Sequence, residues 1–288
     1  MKLLLPLSLI LTFFFPSAFA QKPEPAQAQV KYHFIHIRDT TERNHPYTEN
    51  LMLLLGRNAS AYTSIDARLQ KEHMNREVMD QVKYAPDPNH LNLTITGSRQ
   101  VSSEEYFQFA AGHQLFIKQT LINAYLVEEP LPVISWKISS DTLTINSLHC
   151  QKATTHFKGR DYEVWFCSDL PFHSGPWKLN GLPGLIVQAS DKKREVIFEF
   201  AGFDDVSSQN IIISLPDDAI ATTQKEFDRL KELRKSDPQT FQKMPRTKIE
   251  KSPMDGIDPS RISTINVKSS SETFSRTINN PIELPEKK

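Results

Sequence analysis

A two-residue turn midway between the two cysteines of the chain constrains the fold more than any other feature of the sequence. In the run FKGR, Lys158-Gly159 suits the centre of a tight hairpin because glycine adopts a positive φ without strain. Cys150 and Cys167 are equally far from this turn, so the hairpin register places them directly opposite each other. Counting from the turn puts them in the closer, non-hydrogen-bonded type of antiparallel pair. That separation suits a disulfide; the alternative is two unpaired thiols in separate strands.

The same register sorts the other hairpin residues between two faces. The apolar face is the expected core face and carries Ala153, Tyr162, Val164 and Phe166. The face that carries the cysteines also holds Lys152, Thr154, His156, Asp161, Glu163 and Trp165. His156 and Asp161 can form an ion pair across the strands. Arg160, beside the turn, can bind an anion or pair with Asp161 or Asp169.

Strand-like runs dominate the rest of the chain. VKYHFIHIR and LNLTIT alternate apolar and polar residues, while GLIVQA and EVIFEFAGF are rich in apolar and β-forming residues. Turn signals recur between such runs at short intervals, which favours an antiparallel sheet over alternating strand–helix–strand units. The sequence therefore predicts a mostly β protein, built on a curved antiparallel sheet or half-barrel with one helix in its C-terminal half.

Two segments have helical rather than strand-like sequences. Residues 64–82 are charged and lack Gly and Pro, and Ser64 can cap a helix there. Asp217 or Asp218 can cap a second helix over residues 218–235, whose apolar residues recur at near-helical spacing. The broad polar face of this second helix predicts packing through one narrow apolar stripe.

The N-terminus has the composition of a secretory signal peptide. Lys2 precedes an apolar run that is too short to span a bilayer and that ends at the A-x-A site Ala18-Phe19-Ala20. No later segment is apolar enough to form a transmembrane anchor. We therefore expect an exported protein. The expected organisation is a signal peptide (1–20), a flexible leader (21–29), one domain (30–245) and a loosely ordered tail (246–288).

Charge and motifs exclude several classes of function. The 34 basic and 34 acidic residues balance, and no basic stripe is present, so nucleic acid is not an expected partner. No GxSxG, HExxH or CxxC motif occurs. His33 and His36 fall on opposite faces of one strand and cannot easily share a metal. Ser174 follows His173, but adjacency in sequence is not triad geometry. The sequence predicts no catalytic residue, metal or cofactor.

The run GPWKLNGLPGLIVQAS, residues 175–190, places glycines and prolines inside an apolar stretch. Pro183 and Gly184 fit the second and third positions of a type II turn that begins at Leu182. A phosphate-binding loop needs free backbone N–H donors and a following helix, whereas Pro183 removes a donor and a strand-like run follows. The run is therefore predicted to be a structural corner; a rigid apolar rim that touches a ligand is the alternative.

The region around this corner resembles the GLPGLI family, exported proteins of Gram-negative bacteria that are named after the hexapeptide. The features that carry the resemblance are Cys150 to Ala153, Gly159-Arg160, Trp165-Phe166, Gly175-Pro176-Trp177, Gly181-Leu182-Pro183-Gly184-Leu185-Ile186 and the ending NNPIEL at 279–284. The specific match covers roughly residues 147–190. The resemblance implies an exported protein that is periplasmic, outer-membrane-associated or secreted. It also implies a family without an assigned activity, catalytic residue or cofactor, some of whose members are associated with outer-membrane uptake receptors.

We therefore expect an exported, non-enzymatic protein of the cell envelope that binds an apolar ligand, a peptide or an envelope partner. The alternatives are an envelope hydrolase with an unrecognised site and a structural accessory to an outer-membrane uptake receptor. An apolar cavity on the sheet would favour the binding protein, convergent ionisable groups the enzyme, and an exposed apolar patch the accessory. Any cavity is expected between the sheet and the helix of residues 218–235, with Trp165 or Trp177 near it.

Overall fold

The architecture comes from a computed structural model that describes residues 22–245, 257–269 and 277–286. The signal peptide predicted for residues 1–20 lies outside the described residues. Strands account for 45% and helices for 17% of the described residues, and the large sheet is not closed. The mostly β fold predicted from the sequence is therefore confirmed.

Sixteen strands and three α-helices are present in the described residues. The strands are β1 (Glu24–Pro25), β2 (Ala28–His36), β3 (Tyr47–Leu55), β4 (Ala59–Ser64), β5 (Leu91–Ser98), β6 (Glu105–Phe109), β7 (Gln114–Thr120), β8 (Ala124–Pro130), β9 (Lys137–Ile145), β10 (Leu148–Phe157), β11 (Arg160–Cys167), β12 (Leu185–Asp191), β13 (Val196–Asp205), β14 (Ile212–Ile213), β15 (Ile220–Thr222) and β16 (Ile262–Ser269). The helices are α1 (Ile65–Lys83), α2 (Gln224–Ser236) and α3 (Pro238–Gln242).

Twelve strands form one sheet in the order β15-β8-β7-β6-β4-β3-β2-β13-β12-β11-β10-β9. Neighbouring strands run antiparallel, except that β15 runs parallel to β8. Two small sheets accompany it, an antiparallel pair of β1 with β14 and a parallel pair of β5 with β16.

The large sheet must be curved, because a short connection joins strands near its two ends. Ten strand-to-strand spacings separate β8 from β9, which in a flat sheet amounts to about 48 Å. The chain passes from Pro130 to Lys137 through residues 131–136 alone, and that length can reach about 25 Å at most. The sheet therefore curls until these strands approach each other, as the predicted half-barrel requires.

The main hydrophobic core covers one face of the curved sheet, which we call the inner face. β2 and β3 bury every second residue, as expected for strands with one face in the core. Core residues of the inner face include Val30, Tyr32, Phe34, Leu53, Val164 and Phe198. A second cluster with Phe107, Phe109 and Phe116 lies on the opposite face of β6 and β7.

The predicted hairpin register is confirmed. β10 and β11 pair from Phe157 opposite Arg160 to Gln151 opposite Phe166. The two turn residues, Lys158 and Gly159, have φ angles of 51° and 72°, as both central residues of a type I′ turn require. The faces are also as predicted, since the expected core residues Ala153, Tyr162, Val164 and Phe166 are all buried.

The predicted disulfide between Cys150 and Cys167 is present, with their Cα atoms 4.2 Å apart. Both residues are almost fully buried. The bridge therefore ties the ends of β10 and β11 together at the far end of the hairpin from the turn.

The helices match the sequence predictions in part. α1 begins where expected, with the Ser64 hydroxyl accepting a hydrogen bond from the Ala67 amide. The second helix begins at Gln224, later than the predicted 218, and its N-cap is Thr223 rather than Asp217 or Asp218. The physical reason is that Ile220–Thr222 pair with β8 instead of coiling. The predicted narrow stripe is present as buried Phe227 and Leu230.

Two described stretches of the region 246–288, residues 257–269 and 277–286, differ from the loosely ordered tail that the sequence predicts. Residues 262–269 form β16 beside β5. Residues 277–286, which we call the C-terminal strap, pack on the large sheet, and Asn280 within the strap is 5% exposed. The strap also approaches the hairpin turn closely, because a Cβ added to Gly159 would lie 2.5 Å from the Leu284 carbonyl oxygen.

Candidate binding cleft

The hexapeptide forms a corner immediately before β12, although the turn is not of the predicted type II. The Gly184 amide donates to the Leu182 carbonyl oxygen (2.9 Å), and the Leu185 amide donates to Leu170 instead of closing a four-residue turn. Gly184 has a φ of 155°, and a Cβ there would lie 2.4 Å from the Cys167 carbonyl oxygen. The corner therefore needs glycine because the backbone passes directly against the disulfide-bonded end of β11.

Residues before this corner bridge the interior of the curved sheet. The Trp177 carbonyl oxygen accepts a hydrogen bond from Gln108 of β6 (3.1 Å). Lys178 Nζ lies 3.0 Å from a Glu129 carboxylate oxygen of β8. In sheet order β6 and β8 lie far from β12, into which the corner leads. Residues 175–182 therefore connect the two sides of the curl and hold Trp177 inside it.

A cleft of ≈ 410 Å³ opens on the inner face beside Trp177. We call it the aromatic cleft, because most of its floor is aromatic. The floor and inner wall comprise Phe34, Leu51, Tyr62, Tyr106, Trp177 and Phe198. One rim is the loop 100–104, and the other is formed by Ile278, Pro281 and Ile282 of the C-terminal strap. Its residues come from positions 34 to 282, so long-range contacts alone create it.

Ring contacts fix the floor of the aromatic cleft. Phe34 and Phe198 stack with ring centroids 4.8 Å apart. Tyr62 meets Tyr106 at 6.1 Å and Tyr32 edge-on at 6.3 Å. Such offset and edge-on pairs are favourable aromatic geometries. The floor is therefore a preorganised apolar surface.

Two polar groups in the cleft wall, the Tyr62 hydroxyl and Trp177 Nε1, are buried without a hydrogen-bond partner among the described residues. Burial raises the pKa of Tyr62 well above its ordinary value, so its hydroxyl stays protonated. A buried polar group without a partner costs about 1–3 kcal/mol. Such groups are therefore rare in folded proteins.

A buried carboxylate holds the first rim. Glu49 is 1% exposed. It accepts hydrogen bonds from the Tyr47 hydroxyl (2.7 Å), the Ser64 hydroxyl (2.5 Å) and the Ser102 amide (2.8 Å). The bond to Ser102 ties the loop 100–104 to β3. Glu104 in the same loop accepts a hydrogen bond from the Tyr106 hydroxyl.

His36 lies at the strap side of the cleft. Its Nε2 lies 2.8 Å from the Asn280 carbonyl oxygen. Burial, followed by the positive charge of Arg38, lowers its pKa to about 4. At neutral pH the ring is therefore uncharged and donates to the strap. His33 and His36 lie on opposite faces of β2, as predicted. The His33 ring contacts the Asn50 side chain, whereas the His36 ring contacts the strap.

Arg160 is buried, and the prediction that it pairs with Asp161 or Asp169 is wrong. Instead of Asp161 or Asp169, its guanidinium contacts Asp191 (2.8 Å) and Glu195 (3.5 Å). The reason is that Arg160 lies on the core face of the hairpin, whereas the pairing places Asp161 on the other face. The sequence near Arg160 does not indicate these partners, because Asp191 ends β12 and Glu195 lies in the turn before β13.

Other residues singled out from the sequence lie outside the cleft. The predicted ion pair of His156 with Asp161 is present at 2.6 Å. Trp165 is partly buried and is not among the residues that line the cleft. His173 Nδ1 lies 2.8 Å from the Leu182 carbonyl oxygen, which places this ring against the hexapeptide corner rather than in a catalytic arrangement with Ser174.

The cleft also lies elsewhere than the sequence predicts. Phe227 and Leu230 of α2 pack against Tyr125 and Val127 of β8, with the rings of Tyr125 and Phe227 5.7 Å apart. The apolar stripe of the helix therefore fills its contact with the sheet. Of the two tryptophans named as possible neighbours, Trp177 lines the aromatic cleft.

No group of three or more His, Cys, Asp or Glu side chains that could hold a metal occurs within residues 22–245, 257–269 and 277–286. Over the same ranges, no helix has the length and apolar character needed to cross a membrane.

Comparison with known proteins gives little further information. No protein-family model matches the chain, and no curated protein matches it. Two solved structures described as PNGF-II, in P21 and C2 crystal forms, are similar with TM-scores of 0.48 and 0.47 and 12% sequence identity in both cases. The match covers 71% of this chain and 32% of the other, so this chain spans about a third of that protein's length. Similarity at this level carries no functional conclusion.

Proposed function

We propose that this is an exported, non-enzymatic protein of the cell envelope that binds an apolar ligand in the aromatic cleft. The observation that carries the proposal is the cleft itself, a ≈ 410 Å³ space with a preorganised aromatic floor. Small-molecule sites are typically concave and mostly apolar, with a few polar groups that orient the ligand. Polar side chains are present at the rim of this cleft, in Ser102, Ser103 and Glu104.

The two carboxylates and the histidine of the cleft favour binding over catalysis, and Arg38, which also lines the cleft, lies over the Tyr47 ring. Both carboxylate oxygens of Glu49 accept hydrogen bonds from protein donors. Glu104 is bonded to Tyr106, and His36 is neutral and bonded to the strap. A general acid or base must instead reach the substrate and titrate near the working pH. These groups therefore support the rims of the cleft.

Export rests on three supporting observations. The first 20 residues have the pattern of a signal peptide. The Cys150–Cys167 disulfide suits an oxidising compartment outside the cytoplasm. The resemblance to the GLPGLI family, to which we propose that the chain belongs, also implies export. The strap residues Asn279 to Leu284, which match the usual family ending, lie beside the cleft.

A second candidate function is an envelope hydrolase that uses the cleft as its active site. The observation that favours it is the presence of two carboxylates, Glu49 and Glu104, in one cleft, as acid–base pairs require. Replacing Glu104 by Gln separates the two functions. Binding of an apolar probe is expected to persist in Glu104→Gln, whereas an enzyme would lose turnover of its substrate while still binding it.

The proposal is tested by titration with the neutral apolar fluorophore N-phenyl-1-naphthylamine. Ile278, on the cleft rim, is 53% exposed, and Ile212, outside the cleft, is 54% exposed. Ile278→Glu places a charge at the cleft and is expected to weaken probe binding about tenfold, about 1.4 kcal/mol. Ile212→Glu is the matched control and is expected to bind like the wild type. Equal binding by all three proteins, or none by the wild type, would refute the proposed site.

A further inference from the structure

We infer that Arg160 is a positioning residue of the aromatic cleft. It shapes the cleft because its hydrogen bonds hold the C-terminal strap in place. The inference rests on the proposed binding function, because it assigns the cleft a second supporting group. Arg160 belongs to the hairpin of β10 and β11 and does not itself line the cleft. Its effect on the cleft passes through Pro281 and Ile282 of the strap.

Arg160 donates three hydrogen bonds to consecutive strap residues. Arg160 Nη2 donates to Asn280 Oδ1 (2.7 Å) and to the Pro281 carbonyl oxygen (2.7 Å). Arg160 Nε donates to the Ile282 carbonyl oxygen (2.9 Å). Two of these acceptors belong to the main chain, so the bonds set the path of the backbone and not only one side chain. The side chains of Pro281 and Ile282 form a rim of the cleft.

Burial of the Arg160 and Asp191 side chains holds these hydrogen bonds in a fixed geometry. The Arg160 side chain is 2% exposed and its ion-pair partner Asp191 is 4% exposed. Asp191 is itself fixed, because its Oδ1 accepts the amides of Glu195 (2.6 Å) and Val196 (3.0 Å) at the start of β13. The guanidinium is thus held on one side by the sheet and on the other by the strap. Its planar fork of donors can serve several acceptors at once, which a lysine ammonium cannot do with the same geometry.

Other contacts hold the strap on either side of these bonds. Asn280 also accepts a hydrogen bond from His36 (2.8 Å) and donates one to the Ile37 carbonyl oxygen (2.7 Å). Arg160 differs from these contacts because it bonds to the carbonyl oxygens of the rim residues Pro281 and Ile282.

Glu283 pairs with Lys158 (3.2 Å) and Lys178 (2.9 Å), and Glu286 pairs with His156 (2.9 Å). The contacts with Lys158 and His156 are partly exposed, and such ion pairs contribute little to stability. They also lie beyond the residues that line the cleft. Loss of one of them is not expected to move the rim.

The two rims therefore depend on two buried charges. Glu49 holds the loop 100–104 through the Ser102 amide, and Arg160 holds the strap. The distance between the rims sets the width of the cleft, so a ligand that fits the cleft depends on both. Arg160 should consequently affect affinity without contacting the ligand.

The decisive variant is Arg160→Lys, which keeps the charge beside Asp191 but loses the fork that binds the strap. Lys158→Gln is the matched control, since it removes a strap contact from the same hairpin away from the cleft. The chain has three tryptophans, so Trp136→Phe and Trp165→Phe leave Trp177, which is 2% exposed, as the only one. All variants are compared in this background by acrylamide quenching, N-phenyl-1-naphthylamine titration and thermal unfolding.

Arg160→Lys is expected to raise acrylamide quenching of Trp177 at least threefold and to weaken probe binding at least tenfold at temperatures where it remains folded. Lys158→Gln is expected to match the background protein in both measurements. If Arg160→Lys does not fold, Asn280→Ala replaces it, because that change removes an acceptor of Arg160 and leaves the pair with Asp191 intact. It also removes the bonds from Asn280 Nδ2 to Ile37 and Glu195, so an unchanged result in this variant is the informative outcome. A folded Arg160→Lys, or Asn280→Ala in its place, with unchanged quenching and unchanged probe affinity would overturn the inference.

Failure of this inference differs from failure of the proposed function. If the background protein binds no probe, the proposed function is wrong, and quenching of Trp177 still decides whether Arg160 positions the strap. If the probe binds and Arg160→Lys changes neither measurement, only the positioning role is wrong. A lower melting temperature with unchanged quenching and affinity would assign Arg160 to stability alone.

Discussion

The hairpin of β10 and β11 and the aromatic cleft lie side by side but differ in the range of the contacts that create them. The hairpin depends on residues between 150 and 167, which meet because one turn reverses the chain. The cleft combines residues from 34 to 282 that meet only when the whole sheet has curled. A change in the hairpin at a residue that does not contact the strap should therefore act mainly on stability. A change in the strap, in the rims or at Arg160, which holds the strap, should act on binding.

The disulfide gives the largest expected effect within the hairpin. Replacing both cysteines by Ser should lower the free energy of unfolding by about 2–4 kcal/mol, because the closed loop restricts the unfolded chain. Chemical denaturation of the double variant and of the reduced wild type provides the measurement. Labelling of both thiols in the unreduced, denatured wild type would show that the bridge does not form in solution.

Gly184 tests the point at which the two regions meet. Gly184→Val should lower the free energy of unfolding by about 1–3 kcal/mol, because its Cβ would lie against the Cys167 carbonyl oxygen. Gly202 is the control, since its φ of 146° is similar but a Cβ there meets nothing within 4 Å. Comparing thermal unfolding of Gly184→Val and Gly202→Val separates close packing from backbone strain. Equal losses of unfolding free energy in the two variants would show that the whole effect comes from the strain of a positive φ.

His36 tests how the cleft side responds to pH. Its pKa of about 4 lies below the ordinary value of 6.5, so the unfolded chain binds a proton first as the pH falls. Stability contributed by neutral His36 is therefore complete above pH 6.5 and is lost towards pH 4, by about 2 kcal/mol between pH 7 and pH 5. His36→Gln should flatten this dependence in urea unfolding measured across that range. An equally steep dependence in the variant would exclude His36 as its source.

The smallest effect is expected on the outer face of the hairpin. Lys152 and Glu163 form an ion pair of 2.7 Å with partly exposed side chains, and exposed pairs contribute little. Lys152→Gln should leave both the melting temperature and the binding of N-phenyl-1-naphthylamine unchanged. A clear loss of probe binding would show that the two regions are coupled through the outer face, contrary to the comparison.

The same difference in range explains what the sequence could predict. The register, the disulfide and the core face of the hairpin follow from the turn at Lys158-Gly159, and the Ser64 cap follows from its neighbours. The start of α2 was missed because Ile220–Thr222 pair with a distant strand. No local sequence pattern indicates the cleft, because Glu49 and the strap gain their roles only through long-range contacts. The near-equal spacing of the strand-like runs predicts a sheet. It does not predict where the folded sheet leaves a cavity.

The central claim is that long-range contacts build a ligand site around Trp177. The most direct test is energy transfer to N-phenyl-1-naphthylamine from Trp177 as the only tryptophan, in the Trp136→Phe and Trp165→Phe background. We expect saturable transfer with one probe per chain. Adding Ile278→Glu should shift the titration to about tenfold higher probe concentration, whereas adding Ile212→Glu should leave it unchanged. Probe fluorescence that rises without transfer from Trp177, or that responds equally to both substitutions, would contradict the claim.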